Sequence, residues 1–211
     1  MAAREDVLSV YERPYCAAGP LICLDEAAKQ RLAEVRAPLP LAPGQPERVD
    51  YEYARQGTAA LFMAFEPLGG QRHVFVRDQR TRSDFAAVMK TLVEERYPKA
   101  ERLVVVLDQL NTHGLASLYA AFPPAEARRL AEKLEIHYTP KHGRWLNMAE
   151  LELSVLARQC LQERMDHREH LAREIAAWQQ ARNGHSVRVN WRFTTADARI
   201  KLKRLYPQPL P

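Results

Sequence analysis

Residues Val104 to His113 read VVVLDQLNTH: four apolar residues run without a break into Asp108, and then into amide, hydroxyl and imidazole side chains. The segment 103–108 has no polar alternation, so it reads as a strand covered on both faces, the central strand of an α/β sheet. An ionised Asp is costly to bury. At the end of such a strand it either caps the next helix or reaches a cation or ligand beyond the strand's carboxyl end. Taken alone, Asp108 fits both roles. A second apolar run with the same ending, PLICLD at 20–25, poses the same choice for Asp25.

The chain has 211 residues, 46% of them hydrophobic, enough for one domain with a core. No run of 18 apolar residues is present, and MAAREDVLSVYERPY lacks a basic segment leading into an apolar one. No membrane contact is therefore expected, and the expected location is the cytoplasm. Cys16, Cys23 and Cys160 are widely spaced and form no C-x-x-C pair, so reduced, mostly buried thiols are expected. The seven histidines contain no H-E-x-x-H, and His167 and His170 read as surface polar residues. The net charge of +5 is uneven: residues 181–211 carry +6 and the rest −1. A basic segment interleaved with Trp191, Phe193 and Tyr206 fits contact with a polyanion, and equally a solvated amphipathic helix.

After the first strand, EAAKQRLAEVR at 26–36 has the composition of a short helix, and PLPLAPGQP at 38–46 is a surface loop. TAALFMAFE at 58–66 and HVFVR at 73–77, joined through Gly69-Gly70, form a hairpin, with VDYEYAR extending or leading into its first strand. Helices are expected at 83–97, capped within Thr81 to Asp84 and stopped by Pro98, and at PPAEARRLAEKL. The strand EIHYTP follows. Further helices are expected at 147–163, at 167–182 and from Thr194 or Thr195 to near Pro207. The expected fold is a five-stranded mixed sheet, a three-strand antiparallel meander plus two parallel strands, flanked by helices in ribonuclease-H-like order.

In that order the first and fourth strands are central neighbours, so Asp25 and Asp108 converge on one edge. Glu150, near the start of the helix after WLNMA, projects toward the same edge. Glu152 competes with it, but residues two apart on a helix face about 200° apart, so only one of the two points in. Leu146, Ala149, Leu153, Leu156 and Cys160 mark the buried stripe, with Glu150 on its margin. Three clustered carboxylates repel one another unless a cation neutralises them, and hard oxygen donors suit Mg²⁺ or Mn²⁺. Two such ions about 3.5 to 4 Å apart serve in-line phosphoryl displacement.

VVVLDQLNTH, EIHYTPKHGRWLNMAELELSVLARQCL and VNWRFTTADARIKLKRLYP resemble the catalytic domain of bacterial insertion-sequence transposases of the mariner-like superfamily, the DDE endonucleases. The resemblance runs from about Leu21 to Pro207. It implies a ribonuclease-H-like fold, two divalent ions (Mg²⁺ or Mn²⁺) held by Asp25, Asp108 and Glu150, cleavage of double-stranded DNA at transposon ends, and attack of the freed 3′-hydroxyl on target DNA. It further implies a homodimer, or pairing with a full-length transposase, and a place on the bacterial nucleoid. Lys141, His142, Arg144, Arg192, Lys201, Lys203 and Arg204 are the DNA-binding candidates. Gln109, Asn111, His113 and Asn147 are candidates to support the acids. Gln109 stands where the family commonly has Asn, and Arg144 where it usually has a small residue. Full-length relatives carry an N-terminal helix-turn-helix region, whereas about 20 residues precede the first catalytic strand here. The expected organisation is a lead-in at 1–19, a catalytic domain at 20–183 and a basic tail with a short helix at 184–211, without a helix-turn-helix domain. Alternative readings are a truncated, non-catalytic DNA-binding or regulatory remnant, and a structure-selective nuclease.

Overall fold

A computed structural model describes residues 1–206; Pro207, the expected stop of the last helix, lies outside the described residues. Strands β1 (Leu21–Glu34), β2 (Tyr53–Glu66), β3 (Gln71–Arg77), β4 (Leu103–Leu107) and β5 (Leu134–Tyr138) form one sheet in the order β3-β2-β1-β4-β5. β1 to β3 pair antiparallel, and β4 pairs parallel with both β1 and β5. This is the expected meander plus two parallel strands. All five residues of β4 are buried, as its unbroken apolar run requires.

Helices α1 (Ala2–Tyr11), α2 (Arg82–Thr91), α3 (Leu115–Ala121), α4 (Pro124–Glu132), α5 (Ala149–Gln159), α6 (Arg168–Gly184) and α7 (Thr195–Lys201) cover both faces. Side-chain alternation along the strands divides the core. Cys23, Val104 and Val106 pack with α1, α5, α6 and α7, whereas Ile22, Leu24, Val105 and Leu107 pack with α2, α3 and α4. Capping boxes at Thr81 with Asp84 and at Thr194 with Asp197 start α2 and α7, and Pro124 lies in the first turn of α4. Gly70 closes the β2–β3 turn with φ +70°, where an added Cβ would meet the Ser186 carbonyl oxygen at 2.8 Å.

Four expectations need correction. Residues 26–34 continue β1 as strand, and their Ala, Lys, Gln and Glu content misleads. Helix propensity differs by less than about 1 kcal/mol per residue, and here the ladder with Tyr53 to Phe62 overrides it. α3 was not foreseen, because LASLYAA is too short for a periodicity to stand out. The helix expected at 147–163 spans Ala149–Gln159 after a single 3-10 turn, Arg144–Leu146. Beyond it, the Leu161 carbonyl accepts from Lys29 Nζ at 2.6 Å. Of the three free thiols only Cys23 is fully buried, and Cys16 is exposed. Among the described residues no helix is long and apolar enough to cross a membrane.

Candidate active site at the carboxyl end of β4

Strand register brings the segments that carry the two aspartates side by side. β1 and β4 pair as Leu21 with Val104, Ile22 with Val105 and Cys23 with Val106. The last of these pairs lies two residues before Asp25 and Asp108; Asp108 follows the end of β4 at Leu107, and its charge acts on Asp25. Asp25 shares the parity of Cys23 and so belongs to the face that α5 covers, while Asp108 lies just past the end of β4. Asp25 is not the end of its strand, as PLICLD suggests; it lies within β1, opposite Met63 of β2. The edge exists because β4 stops at Leu107 while β1 continues. Asp25 is buried, and Asp108 is partly exposed.

The third candidate acid, Glu150, follows a pinned helix start. Asn147 is buried; its Nδ2 donates to the Leu24 carbonyl at 2.7 Å, and its Oδ1 accepts from the Ala149 N–H at 3.1 Å. One side chain thus ties the first turn of α5 to β1, one residue before Asp25. Tyr11 Oη donates to the Leu146 carbonyl and holds the preceding turn against α1. Glu150, in that first turn, is partly exposed, whereas Glu152 faces the interior, clasped by Arg72 at 2.8 Å and Arg182 at 2.7 Å. Glu152 is thus held in the interior by two arginines, while the Glu150 charge acts on Asp25.

Burial raises the Asp25 carboxyl to about 6, and the Glu150 and Asp108 charges push the same way, against the Glu26 N–H and the Arg144 charge. Burial also pushes Asp108 up, but the His113 hydrogen bond and charge, with the Leu110 N–H and the Arg144 charge, together hold the group below its ordinary value. The buried His113 ring bridges Asp108 (Nδ1 to Oδ1, 2.5 Å) and Glu26 (Nε2 to Oε1, 2.7 Å). Burial alone would lower its pKa, but these two carboxylates lift it to about 9. At neutral pH His113 is therefore an imidazolium that donates to both. It links the end of β4 to β1. Glu26 was not singled out in the sequence, although it directly follows the first acid; its partner is 87 residues away.

Arg144 Nε donates to Glu150 Oε1 at 2.7 Å. Its pKa is raised by that bond and charge, then by the charges of Asp25 and Asp108. Among the described residues no three His, Cys, Asp or Glu side chains stand close enough to hold a metal ion together. Asp25, Asp108 and Glu150 fit a hard divalent ion in kind, as carboxylate donors, and Glu150 is bonded to Arg144.

Of the remaining candidates, Gln109 and Asn111 are exposed and, among the described residues, make no side-chain hydrogen bond to the acids. Lys141, His142, Arg192, Lys201, Lys203 and Arg204 are all exposed. The basic segment is not free throughout: Arg182 is engaged with Glu152 and Arg199 with Glu5. Trp145, half-exposed beside Arg144, stacks on Trp191 with ring centres 6.1 Å apart, and Lys201 lies over Phe193.

The sequence model of the DDE superfamily endonuclease family matches residues 20–172. Among solved structures, the chain is similar to the Mos1 mariner paired end complex with Mn, with TM-score 0.57 and 16% identity over 85% of this chain and 53% of that one. It is also similar to the Mos1 Strand Transfer Complex, with TM-score 0.59 and 15% identity over 85% and 52% of the two chains. At these identities the likeness is one of fold, and this chain spans about half the length of the chains it matches. No curated protein matches the chain significantly.

Proposed function

The chain belongs to the DDE superfamily endonucleases, a family that uses divalent metal, and from that premise we propose that it is the catalytic domain of a DNA transposase. The observation that supports this reading is the parallel β1–β4 pairing, whose last pair, Cys23 with Val106, lies two residues before Asp25 and Asp108, together with the Glu150 and Asp108 charges acting on Asp25. In the proposal Asp25, Asp108 and Glu150 hold two Mg²⁺ or Mn²⁺ ions. When bound, these supply Lewis acidity to the attacking and leaving oxygens of the phosphodiester.

The chain's own residues do the positioning. His113 keeps Asp108 ionised and fixed relative to β1, and Asn147 fixes the approach of α5. Lys141, His142, Arg144, Arg192, Lys201, Lys203 and Arg204 face solvent and are proposed to hold DNA backbone without reading sequence. Trp145 offers an aromatic face beside them. Water attacks the phosphorus at a transposon end, the P–O3′ bond breaks, and the freed 3′-hydroxyl attacks target DNA in turn. The proposed partner is a second copy or a longer relative. Leu39, Leu41, Val49 and Tyr51, exposed on the arm between β1 and β2, support it.

The test is nicking of duplex DNA carrying the element's terminal repeats in Mg²⁺ or Mn²⁺. The wild type is expected to nick, and Asp25→Asn, Asp108→Asn and Glu150→Gln each to lose at least about a hundredfold in rate, since each removes a metal-ligand charge. Nicking by Asp108→Asn at the wild-type rate would sink the reading. One observation favours a second reading, a DNA binder that does not cut: Glu150 is already engaged by Arg144. Binding without nicking across a Mg²⁺ and Mn²⁺ series would support it.

A further inference from the structure

One of the three candidate acids, Glu150, already has a cation of its own. Arg144 sits in the 3-10 turn Arg144–Leu146, whose end is anchored by the buried Leu146 and by Asn147, so the base of the side chain is fixed. Its guanidinium reaches Glu150 at 2.7 Å. The pair is open to solvent, with side-chain exposures of 69% for Arg144 and 31% for Glu150. An exposed ion pair is weak and readily exchanged, whereas a divalent ion shared by several carboxylates gains from all of them. Its contact is with Glu150, and the Asp25 and Asp108 charges act on it as well. On the same rim Lys141 and His142 are exposed three and two residues before it.

We propose that Arg144 is the built-in counter-ion of this cluster: it holds Glu150 until a divalent cation displaces it, and the released guanidinium then takes a DNA phosphate at the rim. The inference rests on the reading of Asp25, Asp108 and Glu150 as metal ligands. It makes metal binding and DNA binding mutually reinforcing, because the same side chain must leave one partner to meet the other. Arg suits both, since its planar fork pairs with carboxylate and phosphate alike.

Mn²⁺ titration followed by electron paramagnetic resonance, without DNA, tests the first half. Arg144→Ser is expected to bind Mn²⁺ about two- to fivefold more tightly than the wild type, the range set by a surface ion pair. Arg128→Ser, which removes an equally exposed cation paired with Glu132 on α4, is the control for net charge and is expected to match the wild type. Equal or weaker Mn²⁺ binding by Arg144→Ser overturns the proposal, as does an equal gain in Arg128→Ser. Duplex affinity with and without Ca²⁺, read by fluorescence anisotropy, tests the second half. Ca²⁺ is expected to tighten DNA binding by the wild type and Arg128→Ser more than by Arg144→Ser, and an equal response in all three overturns the handover. Asp108→Asn separates the two levels. Undiminished Mn²⁺ binding there sinks the metal-site reading itself, whereas weakened binding there with Arg144→Ser unchanged sinks only the role given to Arg144.

Discussion

Two glutamates two positions apart on α5 have opposite tasks. Glu152 accepts from both Arg72 and Arg182 in the interior, and Arg72 is fully buried, its remaining N–H groups donating to the Gly70 and Val187 carbonyls. Removing that carboxylate charge leaves two guanidinium groups without their counter-ion, one of them in the core. Breaking a buried pair from one side costs about 3 to 5 kcal/mol. Glu152→Gln is therefore expected to lower the free energy of unfolding by that order in urea titrations, whereas Glu150→Gln changes it by less than about 1 kcal/mol. Equal stabilities for the two variants would contradict the assignment of tasks. The 100° step of the helix makes one of them inward in the sequence; the arginines that claim Glu152 lie 80 residues before and 30 after it.

β3 is an edge strand, and α6 blunts it with side-chain amides. Asn183 pairs with both the N–H and the carbonyl of Arg72, and Gln179 accepts from the Val74 N–H at 2.7 Å. These residues, four apart on one helix face, occupy ladder positions that would otherwise be open to another strand. His73, between those two contacts, lies against Tyr97, and its buried Nδ1 has no partner. Burial, helped by the Arg96 charge, lowers its pKa to about 4. Between pH 6.5 and 4 the unfolded chain binds a proton there and the folded chain does not, so stability falls as pH drops through that window. His73→Phe is expected to remove on the order of 2 kcal/mol of the loss between pH 7 and pH 4. An unchanged slope of unfolding free energy against pH would refute this. The same scale explains the misreading of residues 26–34. Their composition suits a helix in isolation, and only a partner 14-residue strand, β2, makes extended pairing more favourable.

At the scale of the molecule, the two ends of the described chain pack together over one face of the sheet. Val7, Leu8, Val10 and Tyr11 of α1 share a core with Trp191, Phe193 and Ala198, and Glu5 holds Arg199. The basic segment is thereby laid on the body of the protein. Part of its charge is consumed in ion pairs, while Arg192, Lys201, Lys203 and Arg204 stay exposed and make no ion pair among the described residues. Each cation that neutralises a phosphate contributes about 0.9 to the slope of log affinity against log salt on duplex DNA. The triple variant Lys201→Ala, Lys203→Ala, Arg204→Ala is expected to reduce that slope by roughly 2 to 3. An unchanged slope would exclude these residues from the DNA surface.

The sequence by itself determined the set of strands, their order and the candidate acids. Apolar runs, turn residues and helix periodicity are local signals, and Asp25, Asp108 and Glu150 each adjoin one. Only the tertiary structure decided that β1 runs on past Asp25, that Asn147 pins α5 to Leu24, that His113 joins Asp108 to Glu26, and that Arg144 stands at Glu150. These depend on which distant segment the folded sheet and its helices bring alongside. Val104 to His113 therefore announces a charge at the end of a buried strand, while the groups that let that charge remain there come from β1, from the turn after it and from the start of α5.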